Sequence, residues 1–127
     1  MKKHNIFFGL ILFALFLGGC KYDFVLPVEV PVIDNGGDPI SFATQVAPIF
    51  STGDKCTECH KTGGVAMPDL SAANAYNQLM AKYVNTSAPE QSEILTIPGS
   101  SSHSWKKFTP TESAIILAWI KEGAKNN

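Results

Sequence analysis

Apolar residues fall along this chain in three different patterns. From Ile6 to Leu17 they run almost unbroken, and from Lys21 to Asp38 valines mix with Pro27, Pro31, Gly36 and Gly37 without a period. From Pro39 onward they return at helical spacing. Phe42, Val46, Ile49 and Phe50 share one face behind Ser41, which predicts a capped helix over that stretch. Pro48 should kink or limit it, because its ring removes a donor and crowds the preceding turn. A second short helix is expected to carry Cys56 to His60 and to end at Gly63-Gly64. A third, capped by Ser71, would line up Ala72, Tyr76, Leu79, Met80 and Tyr83. Asn85 to Ser104 is rich in Ser, Pro and Gly and reads as a long, mostly irregular loop, which in a small domain usually serves function. The last helix is the clearest. Thr109 caps it, Pro110 takes its first position, Glu112 stands three residues after the cap, and Ile115, Ile116, Trp119 and Ile120 form its stripe before Gly123. No repeat and no β pattern follows Pro39, so the expected fold is all-α.

Composition narrows this picture. A chain of 127 residues with a formal net charge of −1 has room for one small domain and gives no reason to expect nucleic acid as a partner. Charged residues, at 17%, are too scattered for a basic patch or an acidic tail.

The chain opens Met1-Lys2-Lys3-His4, continues apolar, and reaches Leu17-Gly18-Gly19-Cys20. A basic start, a short apolar run and small residues are the parts of a secretory signal. The run is shorter than the roughly 18 residues that a spanning helix needs. Small residues followed by a cysteine resemble the lipobox of bacterial lipoproteins, whose cysteine carries diacylglycerol after cleavage. That resemblance implies a leader over 1–19, a lipidated Cys20 with a flexible tether to residue 38, and a domain over 39–127. An ordinary signal with a chance cysteine is the alternative. Lys21 is not the Asp associated with inner-membrane retention, which favours the outer membrane, on its periplasmic side or at the cell surface. Stretched out, such a tether reaches at most roughly 60 Å.

Chemistry concentrates in Cys56-Thr57-Glu58-Cys59-His60. Two thiols three residues apart can each add to one vinyl group of a haem, and the next residue then offers its imidazole to the iron. A thioredoxin-like redox pair shares the two cysteines but wants a βαβ context, which this chain lacks. A zinc site would need four ligands, and Cys59 and His60 are adjacent with no second motif to complete a tetrahedron. With Cys20 assigned to lipid, no cysteine remains for a disulfide, and a domain this small commonly leans on a metal or cofactor to complete its core.

Pro39 to Asn127 resembles the class I cytochromes c: an amphipathic first helix, C-x-x-C-H shortly after it, an intermediate helix and a C-terminal helix. The resemblance implies one covalently bound haem c held by Cys56 and Cys59, with His60 on the iron. It implies that Phe42/Val46/Phe50 and Ile116/Trp119/Ile120 cross near the haem edge. It also implies that Pro68 and Leu70 form the segment whose Pro carbonyl orients the ligand His. A typical member has Met-Pro shortly before the last helix. Here Ser101 to Phe108 contains no Met, and His103 stands in that place as the candidate distal ligand. Met67, better explained as packing near His60, and Met80, on a helical core face, are the alternatives; an open site is another. Trp105 could cover the haem edge or be a plain core or rim aromatic. Lys106 and Lys107 could dock a redox partner or be a solvated face.

The function this implies is single-electron transfer by a membrane-anchored carrier, not itself an enzyme, serving a partner redox protein. The alternative is an open-site haem protein that binds, senses or reduces O2, NO or peroxide. A purely structural haem in a surface complex is a third reading. Whether His103 binds iron separates the first two.

Overall fold

Ser41 starts the first helix as its spacing predicts. Its Oγ accepts the Thr44 N–H at 3.3 Å, and its own N–H donates to Gln45 Oε1 at 2.8 Å. The computed structural model describes residues 31–100, 103 and 106–127, and every regular element among them is helical. The expected leader, Cys20 and Trp105 lie outside the described residues. Phe42–Val46 forms a wide π-type turn that runs into α1, Ala47–Ser51. Pro48 explains the change of pitch. The Ala47 N–H reaches five residues back to the Phe42 carbonyl, and Pro48 then enters in the first turn of α1, where no donor is required.

Cys56 to His60 departs from expectation. This stretch is a hydrogen-bonded turn, not a helix: the Cys56 and Thr57 N–H groups share the Phe50 carbonyl at 2.9 and 3.2 Å, and the His60 N–H reaches the Cys56 carbonyl at 2.9 Å. Gly53 and Asp54 both take left-handed φ values, 64° and 52°, so the chain doubles back onto α1 before a helix can propagate.

The third helix begins later than the pattern suggested. Asn74 and Ala75 donate to the Ser71 carbonyl at 2.9 Å each, and α2, Ala75–Gln78, continues into a π-type turn over Leu79–Tyr83. The shift buries Ala75 and leaves Ala72 exposed, correcting the predicted face. The stretch read as an irregular loop is also partly regular: a 3-10 turn spans Pro89–Gln91 and α3 spans Glu93–Thr96. Buried Ser92 receives the Asn85 N–H at 2.9 Å, and Ile94 enters the core.

The last helix, α4, Pro110–Lys121, has the full capping box. Thr109 Oγ1 accepts the Glu112 N–H, and Glu112 Oε2 accepts the Thr109 N–H. Gly123, at φ +95°, ends it. Trp119 then packs against Phe42 with centroids 5.2 Å apart, while Tyr76 meets Phe42 edge-on at 5.3 Å. Val46, Phe50, Ile116 and Ile120 complete the contact between first and last helices. Each such buried side chain contributes about 1.5–3 kcal/mol. The chain ends are tied as well, by Ala43 N–H to the Asn127 carbonyl at 2.8 Å and Ile40 N–H to Glu122 Oε2 at 2.6 Å. Core contacts reach back to Ile33, and Asn35 Oδ1 accepts from Gln45 at 3.0 Å.

Candidate functional site

The turn over Cys56–His60, the segment that follows it and the C-terminal half of the chain enclose a cavity of about 250 Å³. Cys56 and Cys59 both line it, as unpaired thiols; Cys56 is half-buried and Cys59 exposed. Burial pushes the Cys56 thiol up to about 11, against the opposing charge of Lys55. That is the reverse of the depressed thiolate of a redox dithiol, and it makes Cys56 a stable thiol at neutral pH. Lys55 lies beside it and bonds both oxygens of Glu112 at 2.5 and 2.6 Å, which pins the turn to the start of α4.

His60 is gripped twice by the segment after it. Its Nδ1 lies 3.1 Å from the Pro68 carbonyl, and its own carbonyl accepts the Leu70 N–H at 2.9 Å. A carbonyl can only accept, so Nδ1 is the donor in this contact and Nε2 is the ring nitrogen left for a metal. The Met67–Pro68 peptide is cis, and Pro68 and Leu70 are both buried. Gly64 lets the segment close: a Cβ there would strike the Cys59 carbonyl oxygen.

His103 lines the same cavity. Its ring centroid is 6.1 Å from that of His60, and the two planes are only 23° apart. Its loop is fastened by Lys106, whose N–H donates to the His103 carbonyl at 3.0 Å and whose ammonium bonds Glu58 Oε2 at 2.6 Å. Lys106 is therefore engaged with the Cys56–His60 turn, while Lys107 is exposed. Met67 borders the cavity at 65% exposure; Met80 packs on the core and does not border it. The remaining walls are mostly apolar, with Tyr83, Ile94, Ile97, Pro98 and Phe108 prominent beside Glu93. Sequence reasoning missed these. The only signal was the apolar group Ile94, Leu95 and Ile97 inside an otherwise polar stretch.

These residues fit an iron porphyrin. A metal–imidazole bond of about 2.0–2.1 Å, with the ring centre about 1.1 Å farther on, places two imidazoles on opposite sides of one ion with centroids about 6.2–6.4 Å apart. The observed centroid separation of 6.1 Å is close to that span. Two thiols at the rim and apolar walls suit a flat, greasy macrocycle attached by one edge. Comparison with protein-family models, curated proteins and solved structures returns no match.

Proposed function

We propose that this chain is a c-type cytochrome that passes single electrons, with haem joined to Cys56 and Cys59 and its iron held between His60 and His103. The observation that carries the reading is the His60–His103 pair: near-parallel rings 6.1 Å apart, with His60 Nδ1 turned to the Pro68 carbonyl. Bound haem supplies a one-electron couple. The chain's own residues do the rest. Cys56 and Cys59 would keep the group from leaving a domain too small to enclose it, the Pro68 carbonyl would make His60 a stronger donor, and Ile94, Ile97, Pro98 and Phe108 would pack against its apolar surface. His60 and His103 together would hold the iron, and a group held by two protein side chains would supply electron transfer in place of chemistry on a bound substrate. Transfer must then run to a separate redox protein. The leader pattern and Cys20 support export and lipid anchoring to the cell envelope.

The test is the optical spectrum and haem linkage of the purified chain. Haem should stay with the polypeptide on a denaturing gel, and the ferric form should be low-spin without the weak near-infrared band of a sulfur–iron bond. His103→Ala should turn high-spin and admit CO. Haem that extracts into acidified organic solvent would refute covalent attachment. A wild-type protein that is high-spin and binds CO rapidly would remove His103 from the iron and favour the small-ligand reading. Fractionation adds a check on the anchor: wild type should travel with membranes, and Cys20→Ser should release the protein or stall its processing.

A further inference from the structure

Asp69 sits between the two residues that grip His60, and it is 92% removed from solvent, with a relative exposure of 8%. Burying a carboxylate is costly unless its lone pairs are filled. Here four donors fill them. Oδ1 accepts the Ser71 N–H at 2.9 Å and the Ser71 hydroxyl at 2.6 Å; Oδ2 accepts the Thr62 hydroxyl at 2.6 Å and the Asn74 amide at 2.8 Å. Those hydrogen bonds, from the Ser71 and Thr62 side chains first, hold the carboxyl well below the ordinary carboxylate range. They also draw together both ends of the segment from Thr62 to Asn74, with Asp69 at the hub.

The placement matters because Asp69 makes no hydrogen bond to His60 and does not itself line the cavity. It acts through its chain neighbours. Pro68, immediately before it, presents the carbonyl at His60 Nδ1, and Leu70, immediately after it, donates to the His60 carbonyl. Both neighbours can keep their aim only while the backbone at 69 is held still.

We propose that Asp69 is the positioning residue of His60: its four hydrogen bonds lock the Pro68 carbonyl onto Nδ1 and so set the tautomer and donor strength of the imidazole. The inference deepens the reading of His60 as the iron ligand and rests on it for its redox consequence, though not for its geometry. Outer contacts of a ligating histidine are worth about 10–100-fold in metal affinity or activity. Loosening this one weakens the Nδ1–H bond, makes the imidazole a poorer donor, and destabilises ferric iron relative to ferrous.

The experiment compares wild type, Asp69→Asn and Asp69→Asn/Asn74→Asp in the purified full-length chain, reduced so that any haem iron is diamagnetic. Two quantities are read: solvent exchange of the His60 Nδ1 proton by NMR, and the midpoint potential. Asp69→Asn puts two amide donors face to face at Asn74, so exchange should quicken by about tenfold and the potential should rise. A tenfold change in the oxidised-to-reduced ratio is about 59 mV for one electron. The double variant restores a carboxylate–amide pair at the same place and should return both readouts most of the way to wild type. A folded Asp69→Asn chain with unchanged Nδ1 exchange would overturn the proposal. Rescue of the potential without rescue of exchange would overturn it as well, since charge and not positioning would then be the cause. A purified chain without haem would refute the cytochrome reading, and the exchange readout would still decide the role of Asp69.

Discussion

Lys55 and Glu112 are joined at 2.5 Å although 57 residues separate them, and the same Glu112 carboxylate also accepts the Thr109 N–H at 2.7 Å. One side chain thus caps α4 and fastens the residue next to Cys56. Helix initiation and placement of the cysteine turn are coupled through it.

Glu112 should therefore make stability depend on acid pH. Burial opposes its ionisation, but hydrogen bonds from Lys55 and Thr109 outweigh burial and hold it below its ordinary 4.5. The folded value is the lower one, so this contribution is complete above about pH 4.5 and is lost as pH falls toward the folded value. Glu112→Gln should flatten the acid limb of a denaturation curve. Glu112→Ala should cost about 1 kcal/mol for the cap contact. The ion pair should add less than about 1 kcal/mol, because solvent still reaches it. Urea titrations at pH 3, 4, 5 and 7 measure both.

Lys106 and Glu58 should control how firmly the His103 loop is held. Their contact at 2.6 Å ties that loop to the cysteine turn, yet Glu58 is largely exposed. Lys106→Ala and Glu58→Gln should each speed CO or cyanide binding to the haem-loaded chain, within about fivefold for so exposed a pair. Raising ionic strength should do the same to wild type through screening. Glu58→Lys/Lys106→Glu should restore slow binding. Rates that ignore both substitution and salt would show that the pair does not gate His103.

Gly64 should tolerate no side chain. A Cβ there meets the Cys59 carbonyl oxygen and lies 2.8 Å from that of Lys61, and backbone atoms cannot swing aside. Gly64→Ala should cost about 1–3 kcal/mol, as overpacking does. Gly99→Ala is the control: its nearest neighbour is the Thr96 carbonyl at 3.4 Å, an ordinary contact, and thermal unfolding should barely move.

Local chemistry was legible in the sequence wherever neighbours along the chain dictate it. The capping box at Thr109 and Glu112, the stop at Gly123 and the Phe42/Val46/Phe50 face are all set by residues within a turn or two of one another, and all are found as read. The spacing of Cys56, Cys59 and His60 suggested a shared chemistry from the sequence, and the structure puts all three on one cavity. The helix expected over Cys56–His60 failed because Gly53 and Asp54, residues that accept left-handed φ, turn the chain first, and the Cys56 and Thr57 N–H groups then bond the Phe50 carbonyl. Ser71 likewise yields its N–H and hydroxyl to Asp69, and α2 starts three residues beyond Ala72. Only the tertiary structure could bring His103 within 6.1 Å of His60, make Asp69 a buried hub, or line a cavity with Tyr83, Ile97 and Phe108. Those contacts join residues that no periodicity relates. They form when the first and last helices cross and bury a shared core, because that burial draws the distant segments of the chain against the cysteine turn.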